Sequence, residues 1–241
     1  MNTRLADMPP VVKNLIIINV LMFLAKYALG GVFGVDLDKI LGLFFFKSPQ
    51  FRPFQIVTHM FMHGSLLHLA FNMFALWMFG RIIESVWGAK RFFIYYFATG
   101  LGAALLQVIV TYIRFLAISK RLPEESVQMV INEGYQILMN GQNYSNALLG
   151  KLNLLTHIAT IGASGAVFGV VLAFGMLFPN TQLMLMFPPI PIKAKYAAVL
   201  MLVLGIMLDF RGNVAHFAHL GGMIFGYILI RYWKNQRNMF Y

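Results

Sequence analysis

The stretch ASGAVFGVVLAFGMLF, running from Ala163 to Phe178, carries no charge and one hydroxyl, that of Ser164. A segment apolar on every side belongs in the centre of a large protein or in lipid, and its own periodicity does not choose between them. The rest of the chain does. Of 241 residues, 59% are hydrophobic and 11% charged, with a mean hydropathy of +0.72, whereas a soluble domain is about one quarter charged. Too few polar side chains remain to coat a water-facing surface, and the same hydrophobicity excludes a disordered chain. Cysteine is absent, which removes disulfides, thiolate metal sites and cysteine nucleophiles and leaves the redox compartment open. The sequence describes an all-α integral membrane protein.

A transmembrane helix needs about 20 mostly apolar residues. Around Ser164, six stretches approach that length: 12–33, 66–83, 92–113, 163–178, 194–208 and 214–233. The fourth and fifth are short, and Pro179, Pro188, Pro189 and Pro191 punctuate the link between them. The first is not a secretory signal: it is too long for a signal's apolar core, carries Lys26 and ends in no small-residue cleavage site. With no repeat and no low-complexity tract, residues 1–241 read as one membrane domain. Two connections are long. Residues 34–65 hold the apolar run Leu41 to Phe46 beside Lys47 and Arg52, a mixture that suits a segment lying in the membrane interface. Residues 114–162 hold the polar stretch Ser119 to Asn146, expected to be an exposed loop with one short helix around Glu124 to Met139.

The formal net charge is +11, which suits either a nucleic-acid partner or basic residues gathered on one side of a membrane. With the N-terminus inside, the inner segments hold ten Lys and Arg against Asp7 and Glu84, while the outer loops hold eight against six acidic residues. That bias places both termini on the cytoplasmic side. No basic patch stands apart from a membrane flank, so a nucleic-acid partner is not expected.

Polar groups kept inside apolar spans are functional candidates by default. The fourth span opens with Gly162, Ala163, Ser164 and Gly165, and the sixth runs His216, Phe217, Ala218, His219, Leu220, Gly221, Gly222. The second is preceded by His63 and carries His68 and Asn72, four apart on one helix face. In this topology spans two, four and six all begin at the outer face. His219 and Asn72 then lie about 9 Å below it, at 1.5 Å per residue, and Ser164 reaches the same depth if the loop before it dips inward. A serine becomes a nucleophile when a neighbouring imidazole takes its proton, and the oxyanion formed needs fixed donors such as Asn, His and backbone N–H groups. The pairs Gly165/Gly169 and Gly222/Gly226 are small-x3-small patterns that let helices approach closely. No acidic residue lies near that depth in these spans, which points to a dyad. Each residue also has a plainer reading: Ser164 a small residue at a helix crossing, His219 a buried histidine with its bonds met, His68 and Asn72 partners of a loop.

Taken together, these elements resemble the rhomboid family of intramembrane serine proteases. The carriers are G-x-S-G at Gly162 to Gly165, A-H-x2-G-x3-G from Ala218 to Gly226, and H-x4-H-x3-N from His63 to Asn72, in family order along essentially the whole chain. The resemblance implies a six-transmembrane-helix rhomboid-like bundle that needs no cofactor or metal and cleaves single-span membrane proteins from within the lipid. It implies Ser164 as nucleophile, His219 as general base and acid, and His68 and Asn72 as oxyanion-stabilising donors beside the Ser164 N–H. Phe168 matches the aromatic that packs on the catalytic imidazole. Lateral access between the second and fifth spans and a bacterial cytoplasmic membrane are further expectations. The chain departs from the family in having Phe54-Gln55 where a Trp-Arg pair often anchors the first outer loop, and in a short link from Asp209 to Asn213 over the site.

Other classes fit less well. His59-x3-His63 and His216-x2-His219 are similar to the histidine boxes of membrane di-iron hydroxylases, but six scattered histidines are few for such a site. No H-E-x2-H motif supports a zinc protease. A rhomboid-like pseudoprotease typically lacks the serine or the histidine, and both are present. A transporter would need an acid or proton-relay pattern that no span carries.

Overall fold

The computed structural model is mostly helical and describes residues 8–184, 191–208 and 216–235. Helix covers most of the described residues in each of the six apolar stretches. Among the described residues, three helices are long and apolar enough to cross a membrane by length and composition: Pro10–Phe33, Leu66–Trp87 and Ala89–Ser119.

Helix α1 (Pro10–Phe33) begins with a proline, whose missing N–H is spare in a first turn. It ends at Gly34, whose φ of 65° lets its N–H and that of Val35 close on the carbonyls of Gly30 and Leu29. The first N–H groups, of Val11 and Val12, donate to the buried Glu84 carboxylate at 2.9 and 2.8 Å, so an acid from another helix satisfies the positive end of this one. Short α2 (Leu37–Leu41) and α3 (Gln55–Thr58) follow, the latter running into a 3-10 turn, His59–Phe61. The second apolar helix is α4 (Leu66–Ala75) joined through a π-helical turn, Leu76–Gly80, to α5 (Arg81–Trp87).

Helix α6 (Ala89–Ser119) is longer than the expected 92–113. Arg114 lies within it, its guanidinium over the Phe217 ring at 4.9 Å. The segment expected to be a loop with one helix holds two, α7 (Glu124–Met139) and α8 (Ala147–His157). They make an α-hairpin against the first long connection. Leu43, Phe44 and Phe45, expected in the membrane interface, are instead buried in protein. Phe45 packs on Phe115 and Phe44 on Tyr135, while the backbones of Leu43 and Thr160 exchange hydrogen bonds of 2.9 and 2.8 Å. An apolar run reports only that water is avoided, not whether lipid or protein replaces it.

Helix α9 (Ser164–Leu177) has nine of its fourteen residues buried, enclosed by α4, α5, α6, α10 (Ala194–Leu208) and α11 (His216–Asn235). Fourteen residues span about 21 Å, short of a bilayer core of about 30 Å, and the first turn of α9 is buried at Gly165, Ala166 and Val167. Between α9 and α10 lie two antiparallel strands, β1 (Gln182–Met184) and β2 (Pro191–Lys193), that the proline-rich link does not foretell. Residues 209–213, expected to form the short cap, fall outside the described residues.

Candidate active site

Ser164 is the first residue of α9. Gly162, two residues earlier, has a φ of 129°, which residues with a Cβ rarely adopt, and a Cβ there would stand 2.9 Å from the His68 ring. The first N–H groups of α9 have no carbonyl within the helix, and that of Val167 is the first to bond back, to Ala163 at 3.0 Å. The serine thus sits where backbone donors favour negative charge.

His219 comes from the first turn of α11, and its Nε2 lies 2.8 Å from Ser164 Oγ. Two features set that distance. Gly222, one turn on, lies so close to α9 that a Cβ would be 1.9 Å from the Gly165 carbonyl oxygen. Phe168, one turn after the serine, stacks on the imidazole at 4.4 Å and 21°. With the imidazole proton on Nδ1, Nε2 accepts the serine hydroxyl hydrogen, the arrangement of a nucleophile with its base.

His68 lies on the other side of Gly162, in the first turn of α4, where its N–H donates to the cap residue Ser65 at 3.1 Å. Asn72 is buried one turn below, and its amide donates to the His68 carbonyl at 2.8 Å. Ser164, His219 and His68 therefore converge, while the bond Asn72 makes runs back into its own helix. A water-sized cavity beside Ser164 is bounded by His59, Met60, Gly100, Ala103, Gly162 and Ala218, among others.

Three further histidines, His59, His63 and His157, order the surroundings. His59 is buried with Nδ1 against the Gln55 carbonyl at 2.9 Å, and burial lowers its pKa to about 4. His63 is wholly buried, its ring 5.0 Å from that of His68, and burial first and the His68 neighbour second lower it also to about 4. His157 ties α8 to α7 through the Val130 carbonyl at 2.9 Å and to the first connection through Ser48 at 3.2 Å. Gln55, half of the departure from the family's Trp-Arg pair, is fully buried. Its amide reaches the carbonyls of Ile40 and Gln50 and accepts from the N–H groups of Arg52 and Phe44, so this loop has an anchor of its own. Among the described residues, no three His, Asp or Glu side chains form a metal-ligating group.

The apolar helices describe an integral membrane protein, within which a serine hydroxyl and an imidazole lie in hydrogen-bond contact. Over residues 14–240 the chain matches the family described as Eukaryotic integral membrane protein (DUF1751), and it belongs to that family. It is also similar to the Saccharomyces cerevisiae "Rhomboid protein 1, mitochondrial", 28% identical over 71% of this chain and 39% of the relative. To the Homo sapiens "Presenilin-associated rhomboid-like protein, mitochondrial" it is 26% identical over 97% of this chain and 52% of the relative. A shorter likeness, 33% identical over 23% of this chain and 11% of the relative, is to the "Rhomboid protease GluP" of Bacillus subtilis. These likenesses support the rhomboid family, and the chain spans about half or less of the first two relatives' lengths. The eukaryotic family description and the mitochondrial names stand against the expected bacterial cytoplasmic membrane. Charge distribution reports which way a chain sits, not which membrane holds it.

Proposed function

We propose that this protein is an intramembrane serine endopeptidase that cuts single-span membrane proteins in or near their transmembrane segments, working from six spans with both termini cytoplasmic. The observation that carries this reading is the 2.8 Å contact of Ser164 Oγ with His219 Nε2 at the start of α9. Ser164 attacks the scissile carbonyl as its proton passes to Nε2, forming a tetrahedral adduct. The oxyanion is met by the Ser164 N–H and the His68 imidazole, with Asn72 holding the His68 backbone and offering its second amide hydrogen. His219 then gives its proton to the leaving amine, and water releases the acyl group by the same steps. A helical substrate hides its carbonyls in hydrogen bonds and must unwind first. The small cavity beside Ser164 favours small residues at the cut.

The test is cleavage of a labelled single-span substrate by purified protein in detergent or liposomes. Ser164→Ala and His219→Ala should each remove cleavage. Full activity in both would sink the dyad, and stable substrate capture without cleavage by the wild type would favour a binding protein.

A further inference from the structure

Lys26 is a charge inside the first apolar span, where charge is costly and calls for a partner. Its Nζ donates to the His63 carbonyl at 3.0 Å and pairs with the Asp38 carboxylate of α2, and its side chain is 17% exposed. An ammonium has three donors, so one head group serves both contacts. Such a pair adds little stability once desolvation is counted, and its retention asks for a geometric reason.

The His63 carbonyl is one end of a short strap. At the other end the His59 carbonyl accepts from the N–H of Gly162, at 2.9 Å, two residues before Ser164. Directly after His63 come Gly64 and Ser65, the cap that receives the His68 N–H and begins α4. The His63 ring lies edge-on to the His68 ring, which in turn abuts Gly162. Through Lys26, α1 therefore holds the segment that sets both where His68 starts and where the Gly162 peptide lies.

We propose that Lys26, with Asp38 as its counter-charge, is a positioning residue that clamps the strap 59–63 and so keeps the His68 imidazole beside the place where the oxyanion on the Ser164 adduct forms. The kinetic part of this proposal rests on the protease reading; the structural part does not.

Lys26→Met alone strands the Asp38 carboxylate, so the deciding variant is Lys26→Met with Asp38→Asn, which removes both charges at similar volume. Hydrogen exchange of the detergent-purified protein should quicken about tenfold or more in residues 58–69 and 160–165, with α6 unchanged. Turnover of the single-span substrate should fall by about ten- to a hundredfold with KM within about twofold, because His68 acts on the transition state. Unchanged exchange in 58–69 overturns the clamp whether or not the protein cleaves anything. Unchanged kcat in a variant whose exchange has quickened overturns its catalytic consequence. Failure of the wild type to cleave counts against the protease reading, and the exchange result then decides the clamp.

Discussion

Replacing Gly222 by alanine adds one methyl group where α9 and α11 cross. The new Cβ would sit 1.9 Å from the Gly165 carbonyl oxygen and 2.7 Å from its carbon, both backbone atoms that no rotamer change moves aside. Carbon and carbonyl oxygen rest at about 3.3 Å or more, so the two helices must part by about 1.4 Å at this point. Gly165 follows Ser164 directly, and Gly222 is three residues, hence nearly one turn, beyond His219. Most of the separation therefore reaches the 2.8 Å contact between Oγ and Nε2 and stretches it past the roughly 3.5 Å at which a hydrogen bond is lost. Overpacking of this kind costs about 1–3 kcal/mol, and a misplacement near 1 Å lowers a rate by about a hundredfold. Gly222→Ala should thus lower substrate cleavage by about two orders of magnitude while thermal unfolding in detergent still shows a folded protein. Gly31→Ala is the control, since nothing lies within 4 Å of its Cβ; it should cleave as the wild type does. Near-wild-type cleavage by folded Gly222→Ala would refute the claim that this crossing sets the dyad distance.

Two further outcomes follow from the loop above the site. His59 and His63 have folded pKa values of about 4, whereas the unfolded chain binds those protons near pH 6.5. The unfolded state therefore takes up protons first, and stability is level above about pH 6.5, falls towards pH 4 and levels again below it. The slope is at most about 1.4 kcal/mol per pH unit for each histidine. A thermal midpoint that does not drop between about pH 7.5 and pH 5 would contradict this burial. Gln55→Leu removes one acceptor and two donors that serve four backbone groups, a loss of at least about 2 kcal/mol. An unchanged midpoint would show that the loop does not depend on this side chain.

Several parts of the site were legible because their geometry is local. Phe168 lies one turn from Ser164 and Gly222 nearly one turn from His219, so helical spacing alone brings each onto the right face. The partners of Gln55 and Glu84 are of another kind. Gln55 bonds backbone groups up to 15 positions away, and Glu84 reaches 72 and 73 positions back to cap α1. No periodicity links such residues, and Glu84 shows in the sequence only as one acid among the inner basic residues. Helix α8 is hidden in the sequence for a related reason. Its cap is Asn146, whose side chain accepts from the N–H groups of Leu148 and Leu149, but the turn-forming residues just before it, Gly141 to Ser145, read equally well as loop.

Lipid also erases the pattern that exposes a soluble helix's inner face. In α1 the inward stripe is Val12, Leu15, Asn19 and Phe23, while Leu21 and Leu24 face out at 58% and 59% exposed. Both faces are apolar, so hydrophobicity does not separate them. Only polar residues mark an interior under these conditions. Asn19 sits on the buried stripe, and Thr99 in α6 is wholly buried against the Tyr95 and Tyr96 carbonyls. Ser164, His68, Asn72 and His219 are candidates under that rule, since each is a polar group that an apolar span keeps at a cost. Lys26 meets the same rule as a charge in the first span. Its partners, Asp38 and the His63 carbonyl, lie in the connection that follows α1, where apolar runs and turns give no pairing. The rule therefore identifies which side chains need a partner, and the fold alone says which partner each one has.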